Sequence, residues 1–157
     1  MKVCADFDPE SDRAMMALAL EEAKKAALSD EVPIGAVIAR NGQVIARACN
    51  RRETDRDALA HAEILCIRAA CQALGGWRLP GCTLYVTLEP CPMCAGAIVN
   101  ARIPRVVYAL ADPKAGAFGT VLNLNGYPLN HKPEIVSGLL AEESRQLLRT
   151  FFQKKRN

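Results

Sequence analysis

The amino-acid sequence predicts an α/β protein of three layers, α/β/α, with helices on both faces of a central mixed sheet of about five strands. Five short apolar or β-branched runs, at 32–39, 43–46, 83–88, 105–109 and 134–137, alternate with longer segments of helical character. Asn41-Gly42 separates the first two runs, and that pair is a strong signal for a tight antiparallel hairpin. With 157 residues, half of them hydrophobic, the chain has enough apolar material for one substantial core. It is read as a single domain over 1–157, without internal repeats and with a short basic tail from about 153.

Each element has a local cause. Asp8-Pro9-Glu10 starts the first helix: an aspartate cap, proline in the first turn and an acid at the positive end of the helix dipole. Met15, Leu18, Ala19, Ala23 and Ala26 then recur at helical spacing as a packing face. After the hairpin, residues 50–57 are polar and aperiodic, so a loop is expected, with Asn50 a strand-end asparagine. The second helix runs over 62–74 and is stopped by Gly75-Gly76. The run 83–88 is a strand whose end leads through Glu89-Pro90 into a third helix, which continues over 95–101. A strand at 105–109 precedes a loop at 111–120 with glycines at 116 and 119, then a turn-rich piece at 122–132 and a short strand at 134–137. The last helix is expected over 139–153, docked by Leu139, Leu140, Leu147, Leu148, Phe151 and Phe152.

Composition removes several classes of function. No apolar run is long enough to span a membrane, and Asp6, Asp8, Glu10 and Asp12 stand where a signal peptide would be basic, so the expected location is the cytoplasm. Seven cysteines are an odd number. Cys4, Cys49, Cys66, Cys71 and Cys82 are scattered through apolar segments and read as reduced core or near-core residues. A net charge of +3 does not by itself announce a nucleic-acid partner, although Lys154-Lys155-Arg156-Asn157 concentrates basic character at one end.

Chemistry concentrates in two blocks, His61-Ala62-Glu63 and Pro90-Cys91-Pro92-Met93-Cys94. An imidazole and two thiolates are the donors that zinc prefers, and three protein ligands leave one tetrahedral position for water. Residues two apart on a regular helix point to opposite sides, so His61 and Glu63 serve one centre only if a helix begins there. Pro92 suits the first helical position, with Cys91 before it as a cap and Cys94 three residues on along the same face. Two helix N-termini then converge on one ion and favour thiolate over thiol. A water held by zinc has its pKa lowered to about 7, and Glu63 beside it moves the proton. That pairing suits hydrolytic deamination of an electron-poor ring carbon. A structural site would need a fourth ligand, and the candidates Cys66, Cys71, Cys82 and His131 form no second close pair.

The H-A-E block followed by T-L-Y-V-T-L-E-P-C-P-M-C-A-G-A resembles the cytidine and deoxycytidylate deaminase superfamily, most closely the bacterial tRNA adenosine deaminases. The resemblance runs from about Ala14 to Phe152, through Glu31-Val32-Pro33-Ile34-Gly35-Ala36, Gly76-Trp77-Arg78-Leu79, Ala111-Asp112-Pro113-Lys114, Asn130-His131 and Phe151-Phe152. It implies the cytidine deaminase-like form of the α/β/α fold and one Zn2+ per chain. It also implies a homodimer that binds the tRNA anticodon stem-loop and converts the wobble adenosine to inosine, with zinc-bound hydroxide as nucleophile and Glu63 as proton shuttle. The substrate-binding residues it implies are Asn50, Val32, Ala62, Asp112, Lys114, Asn130 and Phe152, with Asn50 on the flipped base and Asp112 and Lys114 near the loop RNA.

Relatives with this zinc arrangement also act on free cytidine, deoxycytidylate or guanine, so a deaminase of a free base or nucleotide is the alternative. A nonenzymatic zinc-stabilised RNA-binding domain is a further one, which Glu63 beside the ligands argues against. Three positions depart from the family pattern. Asp57-Ala58-Leu59-Ala60 replaces a D-P-T-A run, Gln153 replaces a basic residue, and Phe118 stands where relatives have a small one, to stack on a base or to pack inward.

Overall fold

The structure, a computed structural model, describes residues 8–156; Cys4, Asp6 and Asn157 lie outside the described residues. Helix α1 (Pro9–Leu28) leads into the hairpin β1 (Gly35–Arg40) and β2 (Gln43–Cys49). Then follow α2 (Ala62–Leu74), β3 (Cys82–Leu88), α3 (Pro92–Asn100), β4 (Arg105–Leu110), β5 (Glu134–Ser137) and α4 (Ala141–Arg156). A single 3-10 turn at Leu124–Gly126 interrupts the long connection before β5.

The strands lie in the order β2-β1-β3-β4-β5. The β1–β2 and β1–β3 pairs are antiparallel, whereas β3–β4 and β4–β5 are parallel, which makes the sheet mixed. Asn41 and Gly42 both have positive φ, 52° and 75°, the conformation a tight hairpin requires.

Strand alternation builds two cores. Ala36, Ile38, Leu84, Val86, Val106 and Tyr108 face one side, where they meet Cys66 and Ala70 of α2 and Ile98 of α3. Val37, Ala39, Tyr85, Val107 and Ala109 face the other, against Met15, Met16 and Ala19 of α1. Helices α1 and α4 cover this second face and α2 and α3 the first, so the three layers follow from period 2 in the strands and period 3.6 in the helices. Each fully buried valine, leucine or isoleucine contributes about 1.5–3 kcal/mol.

Several element bounds differ from the sequence reading. The first strand starts at Gly35, not at 32, because Pro33 has no donor and the Ile34 N–H turns back to the Val32 carbonyl (2.8 Å). Gly35 is also where α1 passes closest, and a Cβ there would overlap the Ala19 carbonyl. The last helix starts at Ala141, since Gly138 (φ 92°) and Leu140 (φ 57°) hold the preceding backbone in the left-handed region. At its other end, Lys154, Lys155 and Arg156 form the final turn of α4 rather than a tail apart from it, and Lys155 pairs with Asp30 (2.6 Å).

Candidate active site

His61 and Cys91 occupy the N-caps of α2 and α3, both with extended backbone, and neither side chain makes a capping hydrogen bond. Proline at the start of α3 provides the fixed φ that begins a helix without needing a donor. The cap side chains therefore turn toward each other. His61 Nδ1 lies 3.7 Å from Cys91 Sγ and 3.6 Å from Cys94 Sγ, and all three ligand atoms lie within 4.8 Å of one another. Tetrahedral zinc with ordinary Zn–N and Zn–S lengths places its ligand atoms roughly 3.5–3.8 Å apart, so the donor set and its spacing fit the ion.

None of the fourth-ligand candidates joins this group among the described residues. Cys66 is buried in the core, the Cys71 thiol faces the Trp77 carbonyl, and His131 Nε2 bonds the Ile103 carbonyl (2.6 Å). Three protein ligands are the count of a catalytic rather than a structural centre.

Of the three donors, Cys91 is the one shifted toward its ligating form. The Cys91 thiol is held down to about 4, chiefly by its hydrogen bond with Cys94, and His61 adds to the effect while burial opposes it. Cys94, the other member of that bond, is pushed up, with burial adding to the shift. His61 is raised chiefly by its bond to Cys91. Glu63, one position into α2 from Ala62 and only 4% exposed, is pushed upward by burial.

These groups open onto a cavity of about 310 Å³ at the strand ends. Its walls bring together His61, Glu63 and Cys91 with Val32, Asn50, Ala62, Asp112, Lys114 and Phe152. Cys94 is buried behind it. Asn130 is exposed and does not line this cavity, unlike the other substrate-binding candidates. Asn50 is 5% exposed and also spans the chain locally: its Nδ2 donates to the Val32 carbonyl (3.2 Å) and its Oδ1 accepts from the Arg52 N–H (3.2 Å). Phe118 packs inward, 6% exposed, so it offers no stacking face.

Sequence reading passed over Arg52, Leu88 and Glu89 in the cavity wall, and Glu31, which holds the loop after β2. Glu31 is 1% exposed and accepts from the N–H groups of Glu53 (3.0 Å) and Thr54 (2.9 Å), which fixes the aperiodic loop before His61. The available signal was chemical: Glu31 and Glu89 are acids directly before proline-containing apolar stretches, where an unpartnered carboxylate would be costly.

A mixed five-stranded sheet between helix pairs, with two helix starts closing on one histidine and two cysteines, defines a deaminase of the cytidine deaminase-like fold. The MafB19-like deaminase family model matches residues 10–156. The chain is 55% identical over 146 residues to the tRNA-specific adenosine deaminase of Bacillus subtilis, covering 92% of this chain and 91% of that one. It is 54% identical over 142 residues to the enzyme of the same name from Agrobacterium fabrum, covering 90% and 93%. A solved structure from work on A-to-I editing by tRNA:A34 deaminases at the wobble position of transfer RNA superposes with TM-score 0.84 at 52% identity, covering 86% of this chain and 99% of that one. The protein belongs to the family of tRNA-specific adenosine deaminases.

Proposed function

We propose that this enzyme hydrolyses adenosine to inosine at the wobble position of the tRNA anticodon loop, using one zinc ion held by His61, Cys91 and Cys94. The observation that carries the proposal is the buried Glu63 beside a ligating His/Cys/Cys group, in a wall shared with Asn50, Asp112 and Lys114. Zinc, when bound, supplies a Lewis acid that makes water a competent nucleophile near neutral pH. Glu63 takes a proton from the attacking water and passes it to the leaving amine, so that adenosine and water give inosine and ammonia. Val32, Asn50 and Ala62, which share the cavity wall, enclose the base. Asp112, Lys114 and Phe152 meet the flanking nucleotides of an anticodon stem-loop. An adenosine in a loop enters such a pocket without breaking duplex pairs.

We further read the chain as a homodimer acting in the cytoplasm. Among the described residues no helix is long and apolar enough to cross a membrane.

The test is inosine formation in a short anticodon stem-loop RNA carrying adenosine at the wobble position. The native protein forms product, and Glu63→Ala, with its zinc content unchanged, is slower by about 10²–10⁴-fold. Ammonia released from free cytidine or guanine, with no inosine in the RNA, would overturn the substrate and keep the chemistry.

A further inference from the structure

We propose that Glu89 is a positioning residue for this reaction: its buried carboxylate clamps residues 112–120 against the cysteine block, so that Asp112 and Lys114 face the base cavity. This rests on the reading that the cavity accepts an RNA loop.

Glu89 is 2% exposed and lies between the end of β3 and Pro90-Cys91. Every group it bonds through its side chain is a donor. Oε1 accepts from the Asp112 N–H (3.1 Å) and the Thr120 hydroxyl (2.5 Å), and Oε2 accepts from the N–H groups of Phe118 (3.0 Å) and Thr120 (3.3 Å). No lysine, arginine or histidine among the described residues forms an ion pair with it, so backbone N–H groups and one hydroxyl satisfy the buried carboxylate.

The chain is fitted to this carboxylate from both sides. The Ala117 N–H donates to the Pro90 carbonyl (2.9 Å) and the Glu89 N–H to the Leu110 carbonyl (2.9 Å). Gly116 comes so close that a Cβ there would overlap the carboxylate, which only glycine avoids. Asp112, anchored by its N–H, in turn accepts the Lys114 N–H at Oδ1 (2.9 Å), so the tie reaches both loop residues of the cavity wall. Pro113 and Lys114 are exposed and Asp112 and Ala115 only half-buried, which leaves little core packing to hold them. The metal ligands, by contrast, are placed by the starts of α2 and α3. Loosening the clamp therefore acts on RNA engagement and leaves the chemical centre in place.

Steady-state kinetics on the stem-loop RNA, with zinc content measured in parallel, test this for Glu89→Gln and for Thr120→Val at an exposed position. Glutamine has the same shape but turns an NH2 toward donors, so a purely space-filling role would be rescued by it and an acceptor role would not. The expected result for Glu89→Gln is a KM raised by about tenfold, with kcat within about twofold of native and zinc at one per chain. Thr120→Val, which removes one of four bonds and keeps the fold, raises KM by about threefold. Native KM in both variants, or a fall in kcat that tracks zinc loss, overturns the proposal. Amide hydrogen exchange on the zinc-loaded proteins decides the clamp independently of substrate. Exchange at Phe118 and Thr120 rises at least about tenfold in Glu89→Gln, and unchanged exchange overturns the proposal. A native protein that forms no inosine defeats the functional reading, while the exchange comparison still tells whether Glu89 holds the loop.

Discussion

His61 and Cys91 sit at helix N-caps yet do not cap, forgoing a bond usually worth about 1 kcal/mol. Their side chains are thereby available to one another and to Cys94, at 3.6–3.7 Å from the imidazole. Cys71, half-buried at the far end of α2, has the same chemistry without the company. Cys91→Ala is therefore expected to take zinc from one per chain to a small fraction, while Cys71→Ala leaves it at one; metal analysis of the purified proteins makes the comparison. Near-equal losses from both would mean that the His61 group does not hold the ion. Asn50 shows how one side chain serves two purposes, since it lines the cavity and also ties Val32 to Arg52.

Among the elements, α1 is pinned to the sheet by more than apolar contact. Asp12, 4% exposed, accepts from Tyr85 of β3 (2.6 Å) and, through both oxygens, from the Arg105 guanidinium of β4 (2.8 and 2.7 Å). Removing one member of a buried charged network is costlier than replacing the whole, because the remaining partners lose their compensation. Asp12→Ala is expected to destabilise the protein by about 3 kcal/mol in urea unfolding, with m unchanged. A loss under about 1 kcal/mol would show α1 held by packing alone. The loop at 51–57 is organised in a comparable way, by the Glu31 carboxylate on two of its N–H groups.

For the whole molecule, three buried carboxylates link stability to acid pH. In Asp12, Glu22 and Glu31 burial works upward and is outweighed: by Arg105 and Tyr85 for Asp12, by Lys25 and Arg47 for Glu22, and by the Thr54 and Glu53 N–H groups for Glu31. Each carboxyl therefore titrates below its ordinary value of 3.8 or 4.5. A depressed folded pKa contributes stability that is full above the unfolded value and is lost as pH falls through the folded one. Thermal unfolding followed by circular dichroism should show a Tm that declines steadily as pH drops from about 4.5 toward 2, and Asp12→Asn should flatten part of that decline. A Tm indifferent to pH across this interval would remove these three groups from the account.

The sequence by itself determined the sheet alternation, the Asn41-Gly42 turn, the helix starts at His61 and Cys91-Pro92 and the donor set, because each is written in local spacing. Local rules also reached the stop at Gly75, where the backbone turns left-handed with φ 75°. Tertiary structure alone decided which face Phe118 chose, that Asn130 stays out of the cavity, and that α4 runs through the basic residues. It also decided that Glu31 and Glu89 hold the two loops beside the site, from 22 and 23 residues away from Glu53 and Asp112 respectively. A buried carboxylate reveals its partners only when distant backbone N–H groups arrive around it, and no periodicity in the chain records that meeting.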